Sequence, residues 1–336
     1  MCACSHDNLG RGGGNPQTPA QTHPVAFEGS FAWSREAGTL RGFGRPSGGF
    51  SLLELMACIV ILLVISGAVF SLLTYYQKVY GTTRLKADMY DNVRGVIELM
   101  SQEIGQAGLV SLPSPSPTLS AAVTANASAQ TVAVSSTTSM FVGEKLLIDA
   151  GTSQELVALT AVGTSPSTIT GIFNQNHASG VPVNVLGVFP NGVMSTSTAT
   201  QLQLFGDINA DGSLVYVRYD CDTAAQRLTR SVTTVTPTIT TSSPAQTLLS
   251  TLVANPGATP CFQYTTTTAG GYTFYANVAV TLSVQTTAPD PQTGAYLTLT
   301  KSFLNLAPRN ILIGLELANA ANTNLLQPKP PNLPLS

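Results

Sequence analysis

The chain has 336 residues, of which only 10% are charged and 43% are hydrophobic, with 15 Lys and Arg against 17 Asp and Glu for a formal net charge of −2. The length admits two domains and a sizeable core, while the even balance leaves no basic excess to neutralise phosphates and argues against nucleic-acid binding by a basic face. There are three histidines, His6, His23 and His177, and the body of the chain has no GxxxxGK[ST] phosphate loop, no HExxH and no CxxC pair. The common nucleophilic relays, nucleotide loops and catalytic zinc sites lack their residues, so the expectation is a chain that is not an enzyme and has no catalytic residue.

In chain order, residues 1–49 read as a leader that is removed. The leader holds two of the histidines and the Cys2 and Cys4 pair, and Arg35, Arg41 and Arg45 outnumber Glu28 and Glu36 ahead of the apolar segment. From Leu55 to Gln77 run 23 residues without a charge, more than the roughly 20 that a helix needs to cross a bilayer core of about 30 Å. Residues 50–77 are therefore expected to form a transmembrane helix, with the positive flank holding the N-terminus in the cytoplasm and sending the C-terminal part outward. The small residues Gly48 and Gly49 precede the apolar run, the reverse of a cleaved secretory signal. A cut at that place keeps the helix on the mature protein as a permanent anchor.

Gly49, Phe50, Ser51, Leu52, Leu53 and Glu54, followed by that apolar run, resemble the class III signal of type IV pilins and type II secretion pseudopilins. The resemblance implies that a prepilin peptidase/N-methyltransferase cuts after Gly49 and methylates the amine of Phe50, which makes Glu54 the fifth mature residue. It also implies that Glu54 attracts the Phe50 amine of a neighbouring subunit and sets its axial register. Opposite charges gain more in low dielectric than in water, and a carboxylate in an apolar helix is otherwise costly enough to count as functional by default. The helical segment with Tyr75, Tyr80, Asn92, Arg94, Glu98, Ile104 and Gly108 is most similar to PilW-like minor pilins.

Beyond the anchor, Leu85, Met89, Val93, Val96, Met100 and Ile104 form one apolar stripe at helical spacing, with Lys86, Asp88, Asp91, Arg94, Glu98 and Glu103 on other faces. Residues 78–112 are expected to continue the helix until Gly105, Gly108 and the prolines from Pro113 stop it. Residues 118–306, the body of the segment 113–318, are rich in Thr, Val and Ser and alternate over Lys145 to Asp149, Glu155 to Val162, Val181 to Val188, Leu214 to Tyr219, Tyr272 to Val284 and Tyr296 to Leu304. They predict a β-rich globular head, with 131–188 as a small β insertion, and residues 319–336, with four prolines, predict a flexible tail. The fold class is α+β, and pilin-like by resemblance: a long N-terminal membrane-spanning helix packed on an antiparallel β-rich extracytoplasmic head.

Cys58 lies in the membrane helix as a small apolar residue. Cys221 and Cys261 then remain as a disulfide in an extracytoplasmic domain, closing a 40-residue loop worth about 3 to 4 kcal/mol in the chain-entropy account. Asp207, Asn209, Asp211 and Gly212 match the first half of a calcium loop, in which alternate oxygens surround a hard cation. Position twelve of that loop is Arg218 where a Glu belongs, with Asp220 or Asp222 as the substitutes, and an ordinary hairpin turn accounts for the same residues and is the favoured reading. No other cofactor is expected.

These readings describe a minor pilin-like structural subunit that helps to initiate or tip a type IV pilus. The alternative in the same machinery is a J-type minor pseudopilin of type II secretion, and the alternative of another class is a membrane-anchored adhesin or binding module. The implied partners are the prepilin peptidase, other major and minor pilins, the inner-membrane assembly platform and the membrane itself. The implied location is a single pass through the bacterial inner membrane before assembly, and the periplasm or a surface pilus after it.

Overall fold

The computed structural model describes residues 49–235, 243–331 and 333, so the expected leader lies outside the described residues except for Gly49. The chain divides into two compact units, residues 1–62 and 63–336. Helix α1 (Leu52–Gln106) forms because the charge-free run passes into the amphipathic stripe with no proline between them. Its most apolar 18 residues have a mean hydropathy of 2.8 and none is buried, so the helix is long and apolar enough to cross a membrane.

In the second unit, Met89, Val93, Val96, Ile97, Met100 and Ile104 of α1 are buried, while Leu85 is only half-buried. On the solvent side Arg94 donates to Glu98 one turn later, at 2.8 Å. The helix ends at a tight crossing. Gly108 has φ +84°, and a Cβ there would lie 2.8 Å from the Phe189 carbonyl oxygen, so the position demands glycine on both counts. Its N–H donates to the Phe205 carbonyl at 2.9 Å, which stitches the helix exit to the sheet.

Antiparallel strands follow. β1 (Asn126–Ala133), β2 (Lys145–Ile148), β3 (Glu155–Ala158), β4 (Ala161–Thr164), β5 (Ser167–Phe173) and β6 (Val183–Val185) make two three-stranded sheets, ordered β1-β5-β4 and β3-β2-β6. β7 (Gln201–Gly206), β8 (Val215–Asp222), β9 (Arg227–Thr234) and β10 (Gln246–Leu249) form a sheet in the order β10-β9-β8-β7. In the last sheet the long β13 (Tyr272–Gln285) pairs with β11 (Leu252–Val253), β12 (Phe262–Ala269) and β14 (Thr298–Leu306). The architecture is α+β, a long apolar N-terminal helix with an antiparallel β-rich head.

Period-two alternation decides which core each strand face joins. Val215, Val217, Tyr219 and Cys221 of β8 face the main core with the α1 stripe, Phe262, Phe274 and Val280. Tyr216, on the opposite face, packs instead with Phe141, Phe189 and Phe205. A separate core is closed within Leu119–Val183, where Leu146, Ile148, Ile169 and Phe173 are fully buried. This small β body begins upstream of residue 131, because Leu119 bridges to Val134 and Val123 to His177.

Two expectations are corrected. At the end of the expected β-rich head, where no helix was expected, lies helix α2 (Arg309–Asn319), whose Ile311, Gly314 and Ala318 recur at helical spacing and are buried. The segment expected to be a flexible tail is packed over its described residues. A 3-10 turn spans Thr323–Leu325, and Leu326 and Gln327 are each 1% exposed. The Gln327 amide donates to the carbonyls of Lys145 and Leu186 at 2.9 and 2.8 Å and accepts from the Lys145 N–H at 2.9 Å. The Lys145 ammonium in turn donates to the carbonyls of Thr323, Asn324 and Leu326. The residues that make these bonds all precede Pro328, so the segment is fixed ahead of its prolines.

Candidate processing and assembly site

Helix α1 starts two residues after Phe50, and Glu54 is the acid of its first turn. The N-terminal end of a helix carries unpaired N–H groups and the positive end of the dipole, so a carboxylate is favoured there. Gly49 and Glu54 are exposed and Phe50 is 79% exposed. A Cβ on Gly49 would meet nothing within 4 Å, so packing within the chain places no demand for glycine at that position. From Leu52 to Leu73 every large apolar side chain is at least half exposed. A surface of this kind is stable only under lipid or against other apolar helices.

The head holds the other residues singled out by the sequence. Cys221, on β8, and Cys261, just before β12, are joined in a disulfide across 40 residues, which ties the β7–β10 sheet to the β11–β14 sheet. Cys58 is free and exposed on α1.

The loop at Asp207 closes on itself. Asp207 is fully buried, whereas Asn209 and Asp211 are exposed, so the three side chains do not converge. One Asp207 oxygen accepts from the Asp211 N–H at 3.1 Å, and the other accepts from the Gly212 N–H at 3.0 Å and from the Ser111 hydroxyl. Asp220 is held by Arg218 and Gln201, and Asp222 by the N–H groups of Ala224 and Ala225. Gly212 has φ +84° and lies so close to the backbone of Pro113 that a Cβ would sit 2.4 Å from its nitrogen, a packing reason for the glycine that needs no cation. The expected result is that millimolar calcium leaves the thermal midpoint of the full chain in micelles unchanged. A rise abolished by Asp207→Ala with Asp211→Ala would instead establish a cation loop.

Three buried polar groups were not legible as such. Glu103, placed by its spacing on an outer face of α1, is 5% exposed. It accepts from the guanidinium of Arg230 on β9 and from the hydroxyl of Tyr219 on β8, and burial, with the Glu103 charge, pushes the Tyr219 phenol well up. Glu144 is fully buried. One of its oxygens accepts from the Phe141 N–H at 3.3 Å, the other has no hydrogen-bond partner, and burial raises its carboxyl to about 8. His177, the one histidine outside the expected leader, is buried against Asp149 and Glu155.

Among the described residues no group of three or more His, Cys, Asp or Glu could hold a metal ion. Around His177 the donors face one another and leave no common point for a cation.

The model of the prokaryotic N-terminal methylation motif matches residues 44–70, the stretch that contains Gly49, Phe50 and Glu54. No curated protein and no solved structure matches the chain. The chain carries a type IV pilin-like prepilin signal at the head of a helix fit to anchor it in a membrane.

Proposed function

We propose that this chain is a minor pilin-like subunit, cut after Gly49 by a prepilin peptidase and methylated on Phe50, that takes part in initiating or tipping a type IV pilus. The observation that carries the reading is the methylation motif over residues 44–70, in register with Glu54 four residues after Phe50 at the start of an uncovered apolar helix. Before assembly the protein sits as a single pass in the inner membrane with its N-terminus in the cytoplasm, and the head lies outside. The neighbours it meets are other pilins and the assembly platform, and its work is structural.

Intact-mass analysis of the membrane-extracted protein tests the first step and is expected to find a chain that begins at N-methyl-Phe50. Replacing Gly49 by a larger residue such as Val should leave the precursor uncut, although the fold itself has room for the side chain. Glu54→Val should still be inserted and cleaved but should be lost from filaments. A mature chain that starts at Met1 would remove the reading. Normal filament assembly by the Glu54 variant would favour an independent membrane-anchored binding module.

A further inference from the structure

The small β body contains a side-chain arrangement unrelated to processing or assembly. The His177 ring is completely buried, with Nδ1 3.1 Å from Asp149 Oδ2 and Nε2 2.7 Å from Glu155 Oε1. With both carboxyls ionised, the two contacts are hydrogen bonds together only when each ring nitrogen carries hydrogen, as in an imidazolium. A neutral ring has one N–H, and its other nitrogen would turn a lone pair towards a carboxylate.

The two partners are not equivalent. Glu155 is held firmly, for it also accepts from the N–H groups of Asn174 and Gln175 at 2.8 and 3.3 Å, and its side chain is 9% exposed. Asp149 is the looser partner. Its side chain is 18% exposed, its backbone stands at φ +68°, and its other carboxylate contact is the adjoining N–H of Ala150. The bond from His177 holds the Asp149 carboxyl below the usual carboxylate range. The ring has no exposed surface through which to swing clear, and the His177 backbone beneath it is bridged in both directions to Val123 at 2.8 and 2.9 Å. From the remaining neighbours the ring meets the edge of Phe173, and Val123 contributes backbone only. Asp149 and Glu155 are thus the charged groups that face it.

We propose that His177 is a proton-dependent latch on the turn at residues 149–153. Doubly protonated, the ring ties Asp149 to Glu155 and holds that turn. When Nδ1 gives up its proton through the partly open Asp149 side, Nε2–H keeps Glu155 and Asp149 is released. The positive-φ backbone at Asp149 and Gly151 then loses the side-chain tie that favoured it.

The test uses the full chain in detergent micelles with His6→Gln and His23→Gln, so that His177 is the sole histidine. Nitrogen-15 shifts of the labelled ring and amide exchange at Ala150 and Gln154, corrected for intrinsic rates, are followed from pH 5 to pH 9. The expected result is loss of the Nδ1 proton with Nε2–H retained. Exchange at Ala150 and Gln154, the hydrogen-bonded amides of the turn, should rise on the order of tenfold with the same midpoint, while Asn174 and Gln175 stay protected. Asp149→Asn should remove the step, because an amide can donate to the neutral ring and accept from the charged one. A ring that keeps both protons to pH 9, one that keeps Nδ1–H in place of Nε2–H, or turn exchange that ignores the ring each overturns the latch.

Discussion

Arg230→Ala is expected to lower the stability of the chain by about 3 to 5 kcal/mol, the size found when one partner of a buried ion pair is removed and the other stays behind. Glu103 is on α1 and Arg230 on β9, so the variant leaves a carboxylate 5% exposed in the seam between helix and sheet, with only the Tyr219 hydroxyl to stabilise it. Tyr219→Phe removes a single hydrogen bond to that charge and should cost about 1 to 3 kcal/mol. Replacing both charges together, as Glu103→Leu with Arg230→Met, should recover most of the loss, because neither charge is then left unpaired. Urea titration of the micelle-solubilised chain followed by circular dichroism measures all three variants against the parent. A loss below about 1 kcal/mol for Arg230→Ala would mean that water reaches the pair as it does at a surface, and would sink the account.

Glu144→Gln is expected to act in the opposite direction and to depend on pH. In the fold the acid stays neutral up to about 8, against an ordinary value of 4.5. Between those values the unfolded chain ionises it and the folded chain does not, so the unfolded state binds fewer protons and stability falls as pH rises. The contribution is intact below about pH 4.5, declines through the window and is fully lost above about pH 8. The variant should therefore match the parent near pH 4.5 and exceed it by a few kcal/mol near pH 8. Thermal melts at a series of pH values decide it. A gain of the same size at every pH would point to improved packing and not to the burial of a charge.

The parts of the fold that were readable in the sequence are those whose cause is local. Twenty-three charge-free residues followed by a stripe from Leu85 to Ile104 specify a helix without reference to anything distant, and the alternation in Leu214 to Tyr219 specifies a strand in the same way. The motif at Gly49 to Glu54 is local too. Expectations went astray where the deciding partner is remote. Glu103 looks like one more solvent-facing acid until Arg230, 127 residues on, is beside it. His177 shows nothing of Asp149 and Glu155, and the prolines of the last segment suggest looseness because the bonds that fix Thr323 to Gln327 are made with Lys145 and Leu186, far back in the chain. Helix α2 is a different failure. It has 11 residues, enters from Pro308 with no side-chain cap, and buries only Ile311, Gly314 and Ala318, so its pattern is too short to stand out from the Leu and Ile of neighbouring strands.

The strap that joins Thr323–Gln327 to Lys145 bears on the order in which the chain acquires its structure. Lys145 and Gln327 are 182 residues apart, a contact of very large sequence separation, whose closure entropy has to be met before its hydrogen bonds form. The core between Leu119 and Val183 draws on nearby residues alone and can close early during synthesis. The groups at the start of β2 and just past β6, the Lys145 N–H and the Leu186 carbonyl, cannot be paired with Gln327 until residues 323–327 have emerged. During that interval the Lys145 ammonium and the Leu186 carbonyl face water, and a half-made chain presents unpaired polar groups at one end of a strand pair to whatever chaperone or neighbour is at hand.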